Sequence, residues 1–214
     1  MRWTLPNAIT LARICITPVI ALLPFFQGSG PKLAAFIIYL IAAFSDTVDG
    51  YLARRRNEIS ELGQLLDPIA DKLLLFATLV PIYWLTNHPP PGADYALWGW
   101  NRGLPLWVVL ILLGREALIT GFRMYAMRRG TVIPAAGAGK LKATMQAIFI
   151  GAGLAWFAWK DLLAEHGWTG WFPPAWDLFH GAFMLVTLSV AVVLTVYSLV
   201  VYLYRYRALL KSAA

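Results

Sequence analysis

The chain predicts an all-α integral membrane protein of six transmembrane helices, and three observations support this. Of its 214 residues, 59% are hydrophobic and only 14% charged, whereas a soluble domain is about 25% charged. Apolar segments of the roughly 20 residues needed to cross a bilayer recur six times. Lysine and arginine gather at alternate ends of these segments, as the positive-inside rule requires. A mean hydropathy of +0.63 agrees. The net charge of +7 therefore does not point to nucleic acid. Basic residues at helix ends suit anionic headgroups or phosphorylated substrates near the cytoplasmic surface.

The spans run over about 8–26, 32–54, 64–86, 104–127, 138–159 and 178–204. The first is too long for a cleavable signal and has no small-residue cleavage site, so it is expected to be retained. Its Cys15 has no second cysteine to pair with and reads as a small apolar filler. Ahead of it, residues 1–7 can lie along the interface with Trp3 as anchor. The stretch from Gln27 to Pro31 ends span one, and Arg54, Arg55 and Arg56 close span two. Pro68 sits near the start of span three, where proline is tolerated. A proline-rich loop from His88 to Arg102 leads to span four, which ends at Arg128 and Arg129. Lys140 and Lys142 open span five, and a loop from His166 to Asp177 leads to span six. Trp98, Trp100, Trp107, Trp168, Trp171 and Trp176 form an interfacial belt around the loops.

Loops after spans one, three and five carry only Lys32, Arg102 and Lys160. That asymmetry places both termini in the cytoplasm and Lys32 at the outer face. No internal repeat or second domain is visible, so residues 1–214 read as a single transmembrane catalytic domain. His88, His166 and His180 fall in or beside outer loops and receive no chemistry.

Four aspartates interrupt spans two and three. Asp46, Asp49, Gly50 and Ala53 stand at i, i+3, i+4 and i+7, and Gly63, Asp67 and Asp71 repeat every four residues, so each set shares one helical face. Carboxylates at membrane depth cost a few kcal/mol or more each and cannot satisfy one another. Only Arg54 and Lys72 are nearby in sequence as counter-charges. One divalent cation, or a pair, is the simplest partner, and oxygen-only ligands favour Mg²⁺ or Mn²⁺. With Arg54 placed to grip a phosphate and small residues Gly50, Ala53 and Gly63 lining the gap, the pattern describes a polar cavity for metal-bound pyrophosphate, open to the cytoplasm.

A second polar cluster lies in spans four and five. Arg115 and Arg123 are two turns apart and flank Glu116, while Lys140, Lys142 and Gln146 open span five. Arginine inside a span requires an anion, and its planar fork suits phosphate. A phosphorylated ligand fits this positive lobe, and repulsion disfavours a cationic amine. The bland alternatives are flanking positive-inside residues for Lys140 and Lys142, snorkelling for Arg123, and a structural ion pair for Arg115.

The string Asp46-x2-Asp49-Gly50-x2-Ala53-Arg54-x8-Gly63-x3-Asp67-x3-Asp71 resembles the signature of the CDP-alcohol phosphotransferase family at every specified position. Its six-span architecture also matches. The resemblance implies that Asp46, Asp49, Asp67 and Asp71 ligate two metal ions, with Asp71 also the base that deprotonates the acceptor. It implies nucleotide and donor contacts from Gly50, Ala53, Arg54 and Gly63. For Asn7 and Thr10 it implies nucleotide contact, with helix capping as an equal alternative. The segments Gly114 to Arg123, Gly139 to Gln146 and Leu5 to Arg13 resemble the phosphatidylglycerophosphate synthase branch. That branch implies CDP-diacylglycerol as donor, glycerol 3-phosphate as acceptor at Arg115, Arg123, Lys140 and Lys142, a bacterial inner membrane and a homodimer. Inositol phosphate synthases and cardiolipin synthases are the alternatives within the family. From another class, a cation transporter would also hold intramembrane carboxylates, but it would spread them across the membrane, whereas here they cluster near one face and no outer-side acid completes a path within these spans.

Overall fold

The structure is a computed structural model that describes residues 5–56, 61–98, 103–128 and 138–207; within these, the side chains of 5–6, 46–56, 61–62, 64–65, 128 and 138–140 lie outside the description. Among the described residues there are six α-helices, one 3₁₀ turn and no strand. They are α1 (Leu5–Leu22), α2 (Ser29–Arg56), α3 (Glu61–Asn87), α4 (Leu106–Arg128), α5 (Ala138–His166) and α6 (Phe172–Arg205), with the 3₁₀ turn at Leu23–Phe25. Each matches one of the expected spans.

Among the described residues, four helices are long and apolar enough by themselves to cross a bilayer, namely α1, α3, α5 and α6, and α2 has a shorter apolar part over Ser29–Ser45. The expectation of six spans is thus carried only in part by apolarity. The reason for α4 is physical: it has 23 residues but holds Arg115, Glu116 and Arg123 in its middle and second half. The architecture is consistent with an integral membrane protein.

α1 packs on α2 and α3, α5 lies between α2 and α6, and α4 leans on α6. The shared core contains Leu79, Ile82, Phe149, Leu154, Phe157 and Met184, all buried. Gly153 lets α5 approach its neighbours closely, because a Cβ there would stand 3.2 Å from Ile82 and 3.4 Å from Met184. Large apolar side chains such as Ile41, Phe44, Leu110, Leu118 and Val193 face outward, as a lipid-facing surface requires.

Several expectations are corrected. α5 and α6 extend into the anticipated tryptophan-rich loop, leaving only residues 167–171 between them. His180 therefore sits inside α6, buried and stacked on Trp156 at 4.0 Å, with Nε2 3.2 Å from the Ala152 carbonyl. Trp98 is buried in the core rather than interfacial, whereas Trp107, Trp168 and Trp171 are exposed; Trp100 lies outside the described residues. Cys15 is exposed on α1 rather than filling the interior.

Lys32 is the largest departure. Instead of standing free at a loop, it is buried, donating to Asp161 Oδ2 at 2.5 Å and to the Phe26 carbonyl at 2.9 Å. Tyr95 donates to Asp161 Oδ1 at 2.5 Å. Burial first, and then the adjacent Asp161 carboxylate, hold the Tyr95 phenol well above its ordinary pKa. Asp161 lies on α5 two residues beyond the expected end of span five, locked to Lys32 and Tyr95. The loop it anchors is pinned again where Trp156 Nε1 donates to the Ala96 carbonyl at 3.0 Å.

Candidate active site

α1 enters the bundle with a polar stripe on an apolar helix. Asn7, Thr10, Arg13 and Thr17 follow one another at three- and four-residue intervals, so they share a face, and all four are buried. That face meets α3. Thr10 Oγ1 donates to Asp67 Oδ1 at 2.9 Å, and Arg13 Nη1 donates to Asp71 Oδ1 at 3.0 Å. The Arg13 side chain is 1% exposed and that of Asp71 is 56% exposed. One end of the ion pair is fixed by packing, and the carboxylate faces open space.

In sequence, only Arg54 and Lys72 stand near the aspartates as counter-charges. The structure supplies Arg13, 58 residues away, whereas Lys72 turns back to the Pro68 carbonyl at 3.0 Å. Helical spacing of Asn7, Thr10 and Arg13 was the signal that could have found it. Thr10 has a defined side-chain partner in Asp67, which sets aside a purely local capping role.

Asp67 and Asp71 line a cavity of about 450 Å³. The same cavity is lined by Arg115, Glu116 and Arg123 of α4 and by Lys142 and Gln146 of α5. The two polar clusters found separately in the sequence therefore open onto one space. Arg115 Nη1 donates to Glu116 Oε1 at 2.7 Å, and its Nη2 donates to Ser198 of α6 at 3.2 Å. Lys142 Nζ donates to the same Glu116 oxygen. Arg115 Nε, Arg123 Nε and Gln146 Nε2 are shut off from solvent and meet no acceptor among the described residues. Buried donors without acceptors are costly, so this wall is suited to an anionic ligand. Arg123 lines the cavity, which disfavours the snorkelling alternative, and Lys142 is buried rather than a free flank residue.

Asp46, Asp49, Gly50, Ala53 and Arg54 belong to the last turns of α2, and Lys140 to the first turn of α5, but their side chains lie outside the described residues. Gly63 is in the first turn of α3. Among the described residues, no group of three or more metal-ligating side chains assembles. The two described carboxylates, one turn apart on α3 and exposed towards the cavity, offer only oxygen ligands. That donor chemistry fits a hard divalent cation.

Residues 3–197 match the family described as CDP-alcohol phosphatidyltransferase. A Bacillus subtilis protein named CDP-diacylglycerol–glycerol-3-phosphate 3-phosphatidyltransferase is 37% identical over 70% of this chain and 76% of its own length. An Escherichia coli protein of the same name is 30% identical over 97% of both chains. A Streptomyces coelicolor protein named cardiolipin synthase (CMP-forming) is 33% identical over 78% of this chain and 75% of its own.

Proposed function

Because the chain belongs to the CDP-alcohol phosphatidyltransferase family, we propose that it transfers the phosphatidyl group of CDP-diacylglycerol to glycerol 3-phosphate, releasing CMP and forming phosphatidylglycerol phosphate. The observation that carries the choice of acceptor is the single cavity in which the α3 carboxylates share space with Arg115, Arg123 and Lys142.

Arg115, Arg123 and Lys142, with Lys140 at the helix start, bind the acceptor phosphate and direct its primary hydroxyl towards Asp71. Asp71 takes the proton from that hydroxyl as its oxygen attacks the diacylglycerol-bearing phosphorus, and the bond to CMP breaks. Arg13 holds Asp71 in place by its 3.0 Å bond. Arg54 binds donor phosphate, Gly50, Ala53 and Gly63 keep the donor site narrow, and Asn7 and Thr10 border the nucleotide. Asp46, Asp49, Asp67 and Asp71 would hold Mg²⁺ or Mn²⁺, two ions in all. Bound there, the metal neutralises pyrophosphate charge and stabilises the CMP leaving group.

In the same reading all six helices cross a bacterial inner membrane, both termini are cytoplasmic, and the cavity opens to the cytoplasm. The donor enters from the lipid with its acyl chains still in the bilayer, and the enzyme works as a homodimer. The likeness to a cardiolipin synthase supports a second reading with a phosphodiester acceptor. The charge of the basic wall argues against it. Among the described side chains, Arg115, Arg123 and Lys142 with Glu116 sum to about +2, which complements a phosphate monoester of −1.5 to −2 rather than a diester. Cation transport gains little support, since Asp161 on the outer side is bound to Lys32 and Tyr95.

The test is CMP release by purified protein with CDP-diacylglycerol and Mg²⁺, offered glycerol 3-phosphate, inositol phosphate, phosphatidylglycerol or serine separately. Turnover with glycerol 3-phosphate alone, abolished by chelator and restored by Mg²⁺ or Mn²⁺, is expected. Turnover only with phosphatidylglycerol would transfer the chain to the cardiolipin reading.

A further inference from the structure

The basic wall contains one acid whose role the transfer reaction leaves open. Glu116 lies between Arg115 and Lys142 on the cavity surface, and both cations bond to the same oxygen, Oε1. Oε2 receives no hydrogen bond among the described residues, although the side chain is 26% exposed to the cavity. A carboxylate accepts about four hydrogen bonds, two on each oxygen. The cations that fix Oε1 leave Oε2 as a strong acceptor with its orientation set from two sides, by α4 and by α5.

An acid on a phosphate-binding wall weakens phosphate binding by repulsion, so a mere anion site would be better without it. Its presence makes sense if the ligand brings a hydrogen-bond donor as well as a phosphate. Glycerol 3-phosphate has three functional groups: the phosphate, the primary hydroxyl that reacts, and a middle hydroxyl that does not. We infer that Glu116 is a specificity-determining residue, whose Oε2 accepts the hydrogen bond of the acceptor's non-reacting hydroxyl while its Oε1 fixes Arg115 and Lys142 for the phosphate. This rests on the reaction proposed above. It does not require Glu116 to touch the reacting atoms.

The discriminating probe is 3-hydroxypropyl phosphate, which keeps the phosphate and the primary hydroxyl and lacks only the middle one. A site built to bond a hydroxyl rejects the analogue that lacks it, and a bond to a charged acceptor corresponds to about tenfold or more. The wild type should show kcat/KM about tenfold or more higher with glycerol 3-phosphate than with the analogue. In Glu116→Gln, which keeps the shape and loses the charge, the preference should fall below about threefold, with most of the loss on glycerol 3-phosphate. If that variant does not fold, Glu116→Asp keeps the charge, withdraws Oε2 by one methylene and should show the same narrowing. Equal loss on both acceptors would mean that Glu116 only positions Arg115 and Lys142, and the inference would be wrong. A wild type that does not distinguish the two would equally overturn it. If the wild type turned over neither acceptor, the assigned reaction itself would fail, and this inference with it.

Discussion

Removing the Asp161 carboxylate should destabilise the protein more than removing its lysine partner, and removing both should cost less than the sum. Lys32 Nζ lies 2.5 Å from Asp161 Oδ2, with side chains 3% and 14% exposed. In Asp161→Leu the ammonium stays buried with only the Phe26 carbonyl at 2.9 Å, and Tyr95 loses its acceptor. Breaking a buried pair in this way costs about 3–5 kcal/mol. For a chain of this size that lowers the melting midpoint by roughly 6–20 °C. In Lys32→Met the carboxylate keeps the Tyr95 hydroxyl and some contact with water, so the cost should be about 1–3 kcal/mol. The double variant Lys32→Met/Asp161→Leu buries neither charge and should recover to within about 2 kcal/mol of wild type. The assay is thermal unfolding of the four proteins in one detergent, closed as a double-mutant cycle. Single-variant costs that add to within about 0.5 kcal/mol would refute the coupling. CMP release per folded molecule should be unchanged, because Lys32 precedes Asp46 by 14 residues on α2, about 21 Å along the axis.

The remaining predictions concern the proposed site and the orientation. Asp71→Asn should abolish CMP release while the protein still folds, with a lowered melting midpoint because buried Arg13 keeps only an amide oxygen; substantial turnover would remove Asp71 as the base. Arg115→Ala should raise the acceptor KM tenfold or more, the scale of a lost charge-assisted bond, with little change in donor KM; equal changes would place it elsewhere. Buried Lys32 is a poor probe of topology, so the label belongs on Thr169, exposed between α5 and α6. In a Cys15→Ala background, Thr169→Cys should react with an impermeant maleimide only from the outer face, and cytoplasmic labelling would invert the orientation.

Helix positions were readable from the chain because bilayer thickness fixes the length of each apolar run. The ends of α5 and α6 were not, since Gly167 and Gly170 suggested a long loop where five residues suffice. Asp67 and Asp71 were visible as misplaced charge, and Arg115 with Lys142 likewise. Their opening onto a common cavity was not visible, because it depends on how α4 and α5 pack against α3. Interhelical partners were hidden for the same reason. Arg13 to Asp71, Lys32 to Asp161 and Trp156 to His180 join positions whose separation in sequence says nothing of their contact. Thr10 and Arg13 are polar positions near the start of α1 in the sequence, and only α3 lying alongside reveals what they hold.

The bond between Arg13 and Asp71 also constrains how the protein is made. A ribosome delivers α1 to the membrane first, and Asp71 follows 58 residues later. At about 5–20 residues per second the arginine waits roughly 3–12 s for its aspartate. During that interval it sits on a largely apolar segment as its one charged side chain, with no α3 to receive it, and must reach towards the headgroups to stay hydrated. Lateral docking of α3 then draws it inward. Assembly of this wall of the cavity is therefore a late event in biogenesis, and a nascent chain halted before α3 would hold the arginine but not the acid it steers.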